Sequence, residues 1–347
     1  MRTEISTLGK EEVLRRLFEN SGFTNSGTVC LDGKGAVASA HKILLEGVDF
    51  DLVYTPLKHL GYKALLYALG DLYAAFRSPA AVSFNLGLSS RFCFEDVQEF
   101  WQGVLAGARE HGVAQLTLDL NPSLNGLCIS VAASGTQKPT VLAKLPAAAN
   151  MDLICLSGRV GAAYMGMHVL EREKASFNRD GKQPDLSKYR HILASYLSPE
   201  VKPNTVSRFI DSKIFPSTGA FVTRGLGDAV LHLAASTGFG AKIYLERIPL
   251  SQDTFDMAEE LDMDPVTAAM NGGDDYQFLF TVPIAQAETL RRDFQDYDII
   301  GHLAQPEVGA VMVTPEGAEI PIRSQAFTGV ADGPEGSEVE AGSKGEE

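Results

Sequence analysis

The chain has 347 residues, of which 45% are hydrophobic and 21% are charged, and it carries a formal net charge of −14. This length predicts about two globular domains, because single hydrophobic cores rarely grow beyond ~250 residues. The excess of carboxylates disfavours nucleic acid and anionic membrane surfaces as partners, since both recruit clustered lysine and arginine. No apolar run reaches the ~18 residues of a membrane helix and no signal region opens the chain, which predicts a cytoplasmic protein.

Helical and strand-like segments alternate from the N-terminus. A first helix is predicted over 9–22, because Val13, Leu14, Leu17 and Phe18 share one helical face. The segments after it are a strand pair within 27–54, a helix over 55–76, a strand over 80–89, a helix over 94–112 and strands over 116–119 and 124–135. This alternation predicts an α/β or α+β fold.

Residues 136–151 interrupt the alternation with two prolines and a run of small side chains. We therefore predict a domain boundary here, with an N-terminal domain over 1–138 and a C-terminal domain over 150–328. Residues 331–347 are acidic and contain almost no large apolar side chains. That composition predicts a disordered tail.

The second half of the chain also mixes helices and strands. A polar stretch over 177–189 is predicted to be a long loop. The other predicted segments are strands over 152–160, 220–225, 241–249 and 274–283, helices over 161–175, 226–238, 253–263, 264–272 and 284–297, a turn and helix within 198–212, and closing strands over 298–305 and 309–322.

Common catalytic signatures are absent from the chain. It contains no G-x-x-x-x-G-K-[ST] phosphate loop, no HExxH and no G-x-S-x-G elbow, which disfavours a P-loop nucleotide site, a zinc site and a serine hydrolase. The cysteines lack CxxC spacing and are predicted to be reduced core residues: Cys30, Cys93, Cys128 and Cys155.

Three acidic positions fit a different chemistry. Asp71 is predicted to follow a helix, Asp119 to end a strand, and Asp274 and Asp275 to lie in a glycine-rich turn before a strand. Carboxylates at such positions bind Mg²⁺, with phosphate oxygens completing the coordination. Taken alone, each one is better explained as a surface acid or a helix cap, so these positions alone predict only a two-domain α/β protein.

Five segments, in this order, resemble thiamine-monophosphate kinase, a family of the aminoimidazole ribonucleotide (AIR) synthase superfamily. They are LLEGVDFDLVYTPLKHLGYKAL, ALGDLYA, GLCISVAASG, DLICLSGRVGAAYMG and MNGGDDYQFLFTVP. The resemblance extends from about residue 3 to Phe327. It implies an α/β (α+β) fold whose N-terminal domain pairs into a barrel across a homodimer, a C-terminal α/β sandwich, and a cleft between the two domains.

The resemblance also implies a reaction and its cofactors. The family transfers the γ-phosphoryl group of ATP to thiamine phosphate, which yields thiamine diphosphate, and it uses aspartates to hold several Mg²⁺ ions. Asp71 and Asp119 match metal ligands, and Asp119 also contacts ATP. Asp274 replaces a substrate-binding glutamate in GGDDY. The aromatic positions near the thiamine ring and near adenine are matched by Phe327 and Trp101.

Other family motifs are altered. The metal-binding STD motif reads Ser39-Ala40-His41 here, and Mg²⁺ seldom accepts an imidazole. Asp49 replaces a substrate-facing histidine and would repel a phosphate. Arg224 replaces an aspartate of DISDG.

A loop and a basic residue of the family also lack close matches. The acidic GDDA loop is missing and is matched only by Asp32, while Lys144 is the nearest match to an ATP-binding arginine. The altered motifs together predict weak or lost kinase activity.

Three hypotheses follow for a protein that binds a small phosphorylated ligand, either thiamine phosphate or a nucleotide. The first is an active or weakly active thiamine-monophosphate kinase, supported by Asp71, Asp119 and the GGDDY turn. The second is a non-catalytic binding or regulatory homologue. The third is another enzyme of the superfamily that uses Arg224, Lys144 and His41 to bind a different phosphorylated substrate.

Overall fold

The computed structural model describes residues 8, 10–20, 28–31 and 36–323, and its strands form two sheets. Asp32, Phe327 and the acidic tail over 331–347 lie outside the described residues. The predicted α/β (α+β) class is confirmed, because helices cover sheets that are mostly antiparallel. No helix within the described ranges is long and apolar enough to cross a membrane.

The first sheet has five strands in the order β1-β2-β5-β3-β4. Neighbouring strands are antiparallel, except that β3 and β4 are parallel. The elements of this part of the chain are α1 (Lys10–Phe18), β1 (Thr28–Cys30), β2 (Val37–Leu45), α2 (Leu57–Ala74), β3 (Ser78–Leu88), α3 (Phe94–Glu110), β4 (Gln115–Pro122), β5 (Leu127–Thr136) and α4 (Pro139–Leu142).

The second sheet has seven strands in the order β12-β11-β8-β10-β6-β9-β7. The pair β8 and β11 is parallel, and the other neighbouring pairs are antiparallel. The elements are β6 (Leu153–Ser157), α5 (Ala162–Asp180), α6 (Arg190–Leu197), α7 (Thr205–Asp211), β7 (Thr218–Val222), α8 (Leu226–Thr237), β8 (Gly240–Tyr244), α9 (Gln252–Leu261), α10 (Pro265–Asn271), β9 (Gln277–Val282), α11 (Ala287–Asp293), β10 (Tyr297–Ala304), β11 (Ala310–Val313) and β12 (Glu319–Pro321).

Helix α2 is the central element of the core. It begins after Pro56, whose fixed φ suits a helix start, and twelve of its residues are buried. The helix contacts β2, β3 and β5 of the first sheet and β7 and β9 of the second. One hydrophobic cluster therefore includes residues of both sheets, such as Phe84 and Phe280. The division into domains over 1–138 and 150–328 stays a prediction.

Three local predictions are wrong. Asp71 does not follow a helix but lies within α2, in agreement with the helix predicted over 55–76. Asp119 does not end its strand, because β4 continues to Pro122. The loop predicted over 177–189 is shorter, since α5 extends to Asp180 and a 3₁₀ turn begins at Ser187.

Candidate functional site: a cavity between the two sheets

A cavity of about 700 Å³ lies where α2 and the first sheet meet the second sheet. Strand β2 contributes His41 and Lys42, and α2 contributes Tyr67 and Asp71. The opposite wall is formed by β7, by the residues after it including Arg224, and by α8. Two altered family motifs and one retained carboxylate therefore meet in the same cavity.

Asp71 forms an ion pair with Lys42. Lys42 Nζ lies 2.8 Å from Asp71 Oδ2, and both side chains are mostly buried. Lys42 also lies 5.2 Å from the centroid of the Tyr67 ring. Burial acts to lower the pKa of Lys42, but Asp71 and Tyr67 outweigh burial and raise that pKa. The ammonium therefore remains charged beside the carboxylate that was predicted to bind metal.

Arg224 and Asp49 form a second ion pair. Arg224 Nη2 donates to Asp49 Oδ1 at 2.9 Å, and Asp49 Oδ2 accepts from the Leu45 backbone N–H at 2.7 Å. Burial raises the pKa of Asp49, although Leu45 and Arg224 oppose this shift. The negative charge predicted to repel a phosphate is thus paired with the positive charge of another altered motif.

The GGDDY turn holds a third ion pair. Lys63 is 4% exposed, and its Nζ donates to Asp274 Oδ2 at 3.0 Å. The same Nζ lies 3.8 Å from the centroid of the Tyr196 ring. Burial lowers the pKa of Lys63, and Asp274 opposes this shift. Asp274 has a φ of 61°, so contacts to α2 help to hold a left-handed conformation that L-residues rarely adopt.

Asp275 has a structural position at the start of a helix. Its Oδ1 accepts from the Gly161 backbone N–H at 2.9 Å, at the N-cap of α5, where Gly161 itself provides no side-chain cap. Asp275 Oδ2 is buried without a hydrogen-bond partner. Burial raises the pKa of Asp275 well above its usual range. This residue caps α5 across the fold, as carboxyl groups do at helix N-termini.

The other proposed site residues are dispersed. Asp119 is exposed on β4, where its Oδ1 accepts from the Leu120 N–H at 2.9 Å. Trp101 is half-buried on α3 and packs edge-on against Phe84. Neither residue lines the cavity.

Lys144 and Ser39 lie near the cavity without lining it. Lys144 is exposed, with its Nζ 5.6 Å from the centroid of the Phe215 ring, and its neighbour Leu145 does line the cavity. Ser39 is half-buried on β2, two residues before His41.

The described residues do not fit a multi-metal centre. Among them, no group of three or more histidine, cysteine, aspartate or glutamate side chains is placed to hold a metal ion. Asp71 is paired with Lys42, and Asp119 lies outside the cavity. A site for hard divalent cations needs several oxygen ligands that converge on one point, and these carboxylates do not converge.

Sequence reasoning missed the cations Lys42 and Lys63 and the aromatic ring of Tyr67. Lys42 directly follows the altered STD motif. A basic residue beside the position of a replaced carboxylate could have indicated a cation in the site. Lys63 lies in the largely apolar sequence of α2, and a lysine at a buried helix position is unusual unless it has a partner. Its partner, Asp274, is 211 residues away, which no local pattern reveals.

Comparison with known proteins agrees with this fold. Residues 24–137 match the family model of the AIR synthase related protein, N-terminal domain. A thiamine-monophosphate kinase of Rhodopirellula baltica is 25% identical over 70% of this chain and 67% of its own length. A putative hydrogenase expression/formation protein of Methanocaldococcus jannaschii is 23% identical over 90% of this chain and 91% of its own length.

The solved structure of AaThiL complexed with AMPPCP and TMP matches with a TM-score of 0.77 at 22% identity, covering 92% of this chain and 97% of that one. The chain therefore has the fold of the AIR synthase-related superfamily. Its sequence is similar to those of thiamine-monophosphate kinases, and its fold is similar to that of AaThiL.

Proposed function

We propose that this chain binds a small phosphorylated ligand in the cavity between its sheets, and that its capacity for Mg²⁺-dependent phosphoryl transfer is weak or lost. The observation that carries the proposal is the ion pair between Lys42 and Asp71 at 2.8 Å. In this ion pair, Lys42 binds the Asp71 carboxylate, which the family resemblance assigns to a metal ion. The proposal accordingly combines the family scaffold with an altered cation chemistry.

The chemistry of phosphoryl transfer explains why this change matters. Such transfer depends on positioning and on neutralising the charge of the transferred group, and metal ions do much of both. The charge of the Asp71 carboxylate is already balanced by the Lys42 ammonium, so Asp71 attracts a metal cation less strongly. His41 and Arg224 also stand where the family resemblance places carboxylates. Among the described residues, the acidic side chains that line the cavity are Asp71 and Asp228, which are fewer than a multi-metal mechanism needs.

The nucleotide and the thiamine phosphate of the family reaction are the first ligands to consider. AaThiL was solved with AMPPCP and TMP, and the fold of this chain is similar over nearly its whole length. The polar side chains that line the cavity include Ser217 and Thr223 as well as Lys42, Arg77 and Arg224, and they support a charged ligand rather than an apolar one.

A direct assay tests the loss of activity. We expect purified protein with ATP, thiamine monophosphate and Mg²⁺ to form thiamine diphosphate at least about 1000-fold more slowly than an active thiamine-monophosphate kinase assayed in parallel. The reason is that each ~1.4 kcal/mol of lost transition-state stabilisation costs tenfold in rate. Turnover within about tenfold of that control would refute the proposed loss.

Ligand binding is tested separately by melting. A ligand that binds the folded state raises the melting temperature, so thiamine monophosphate or ATP should raise it. If no phosphorylated ligand shifts the melting temperature at any concentration, the binding part of the proposal is wrong.

The homodimer implied by the resemblance is part of this proposal. Strand β4 is an edge strand of the first sheet in the described part of the chain, and on it Leu118 and Leu120 are 37% and 50% exposed. An exposed strand edge with apolar side chains favours pairing with another chain. Sedimentation velocity should therefore detect a dimer, and a monomer at every accessible concentration would contradict this part.

A further inference from the structure

Lys42 and Arg224 come from different halves of the chain and adjoin the same ring in the cavity. Lys42 Nζ lies 5.2 Å from the centroid of the Tyr67 ring, and Arg224 interacts electrostatically with the same tyrosine. Both cations line the cavity, with the Lys42 side chain 24% exposed and that of Arg224 42% exposed. Two positive charges are thus accessible from one space.

Neither cation is saturated by its carboxylate partner. The nitrogen–oxygen contact of the ion pair is 2.8 Å for Lys42 and 2.9 Å for Arg224, and Arg224 also interacts with Tyr67. An ammonium carries three N–H donors and a guanidinium carries five. The cations can therefore donate to a further anion, and phosphate oxygens accept such charge-assisted bonds well.

Both groups keep their charge in the cavity. Tyr67 raises the pKa of Arg224 against the effect of burial, and Asp49 adds to the rise. The pKa of Lys42 is raised as well, because Asp71 and Tyr67 outweigh burial. A base that lost its proton near neutral pH could not bind an anion. Lys42 and Arg224 both keep their protons there.

We infer that Lys42 and Arg224 form a phosphate subsite that works without a divalent metal ion. The phosphate group of the ligand accepts hydrogen bonds from both cations directly, in place of bonds through Mg²⁺. This inference rests on the proposed function, because it states how the same cavity holds its phosphorylated ligand. Asp71 and Asp49 then compete with the phosphate for the two cations.

The inference reverses the role of Asp71. In a metal site the Asp71 carboxylate would hold the cation, so its removal would weaken binding of a phosphorylated ligand. In a direct subsite the same carboxylate offsets the charge of Lys42, so its removal would strengthen binding. The sign of the change in affinity therefore separates the two arrangements.

The first experiment titrates thiamine monophosphate and, separately, ATP into the full chain by calorimetry, once with excess EDTA and once with excess Mg²⁺. We expect at least one of the two ligands to bind in EDTA, with no tightening in Mg²⁺. The melting temperature of the same samples provides an independent measure of binding.

The second experiment repeats the titration in EDTA with variants. We expect Lys42→Met and Arg224→Met to bind about 10- to 100-fold more weakly, the effect of losing one charged hydrogen bond. Asp71→Asn and Asp49→Asn should bind more tightly than the parent chain. Arg292→Met is the matched control, because Arg292 is exposed, pairs with Asp293 and does not line the cavity.

Lys42→Arg keeps the positive charge and should keep binding, which separates charge from folding. The melting temperature of each variant without ligand identifies any that fail to fold, and in that case Lys42→Arg and Asp71→Asn carry the test. Binding that requires Mg²⁺ and is weakened by Asp71→Asn overturns the inference but leaves the proposed function intact. The absence of binding by both ligands in both buffers overturns the inference and the proposed function together.

Discussion

At the scale of single residues, the altered family positions compensate each other. Asp49 and Arg224 each depart from the family motif, and they form an ion pair with each other at 2.9 Å. Taken one at a time, Asp49 predicts repulsion of a phosphate and Arg224 predicts attraction. Their separation by 175 residues in the sequence explains why reading the motifs one by one could not reveal that the two charges are paired.

Asp275 supports a prediction about stability. We expect Asp275→Ala to lower the free energy of unfolding by about 1–3 kcal/mol, because the buried N–H of Gly161 at the start of α5 would lose its acceptor. Urea unfolding measures this change. Asp253→Ala is the control, since Asp253 is an exposed acid in the first turn of α9 and its loss should change stability by less than about 0.5 kcal/mol.

The pH dependence of Asp275 follows from the direction of its pKa shift. Because the folded-state pKa is raised, its contribution to stability is fully present below the unfolded-state pKa and is lost as pH rises through the folded-state pKa. Asp275→Asn keeps an oxygen acceptor without this ionisation. Its unfolding free energy relative to the parent chain should therefore improve as pH rises, and a difference that stays constant with pH would contradict the raised pKa.

At the scale of elements, α2 and α3 cross at a close approach made by glycines. A Cβ on Gly103 would lie 1.8 Å from the Lys58 carbonyl oxygen, and one on Gly61 would lie 2.0 Å from that of Phe100. Backbone atoms cannot move aside as a side-chain end can. These glycines therefore set the distance between the helices that cover the first sheet.

Two alanine substitutions on α3 test this contact. Gly103→Ala should destabilise the protein by about 1–3 kcal/mol through overpacking. For Gly107→Ala, one turn away, the nearest atoms are side-chain atoms, of Leu65 at 2.7 Å and of Tyr62 at 3.1 Å, rather than backbone atoms. Alanine also favours a helix over glycine by up to ~1 kcal/mol. Thermal or urea unfolding should therefore show that the Gly107→Ala variant is clearly more stable than the Gly103→Ala variant. Equal stabilities of the two variants would argue against the close crossing.

Most helices and strands could be predicted from local sequence patterns. Helix α6 is one that could not. Helix α8 has regular apolar spacing and ends at Gly238, whose φ is 72°, so both its course and its end follow from the sequence. Helix α6 has eight residues, and isolated helices of that length are marginal in water. It is stabilised by packing against α5, where a Cβ on Gly166 would lie 2.4 Å from the Ile192 carbonyl oxygen.

At the scale of the whole molecule, α2 joins the two sheets in one core. The Gly70 position on α2 lies against the Phe221 ring of β7, and a Cβ on Gly219 of β7 would lie 2.7 Å from the Ala74 carbonyl oxygen. Phe221, Phe278 and Phe280 of the second sheet belong to the same hydrophobic cluster as α2. We therefore expect the two sheets to unfold cooperatively.

Gly219→Ala tests this cooperativity. The substitution is in the second sheet, whereas Trp101, the single tryptophan of the chain, lies on α3 beside the first sheet. The added methyl group should lower the melting temperature measured by Trp101 fluorescence and by far-ultraviolet circular dichroism to the same extent. A shift seen by circular dichroism but not by fluorescence would mean that the sheets unfold independently.

The sequence by itself determined the fold class and most of the order of helices and strands, because periodicity and turn residues are local properties. It also shows which residues stand in the motifs that resemble those of the family. Only the tertiary structure decided which charges meet. Lys42 pairs with Asp71, Arg224 with Asp49 and Lys63 with Asp274, and electrostatic energy depends on distance through space rather than along the chain. For that reason the sequence predicts that Asp71 is a metal ligand, whereas in the folded protein Asp71 pairs with a lysine.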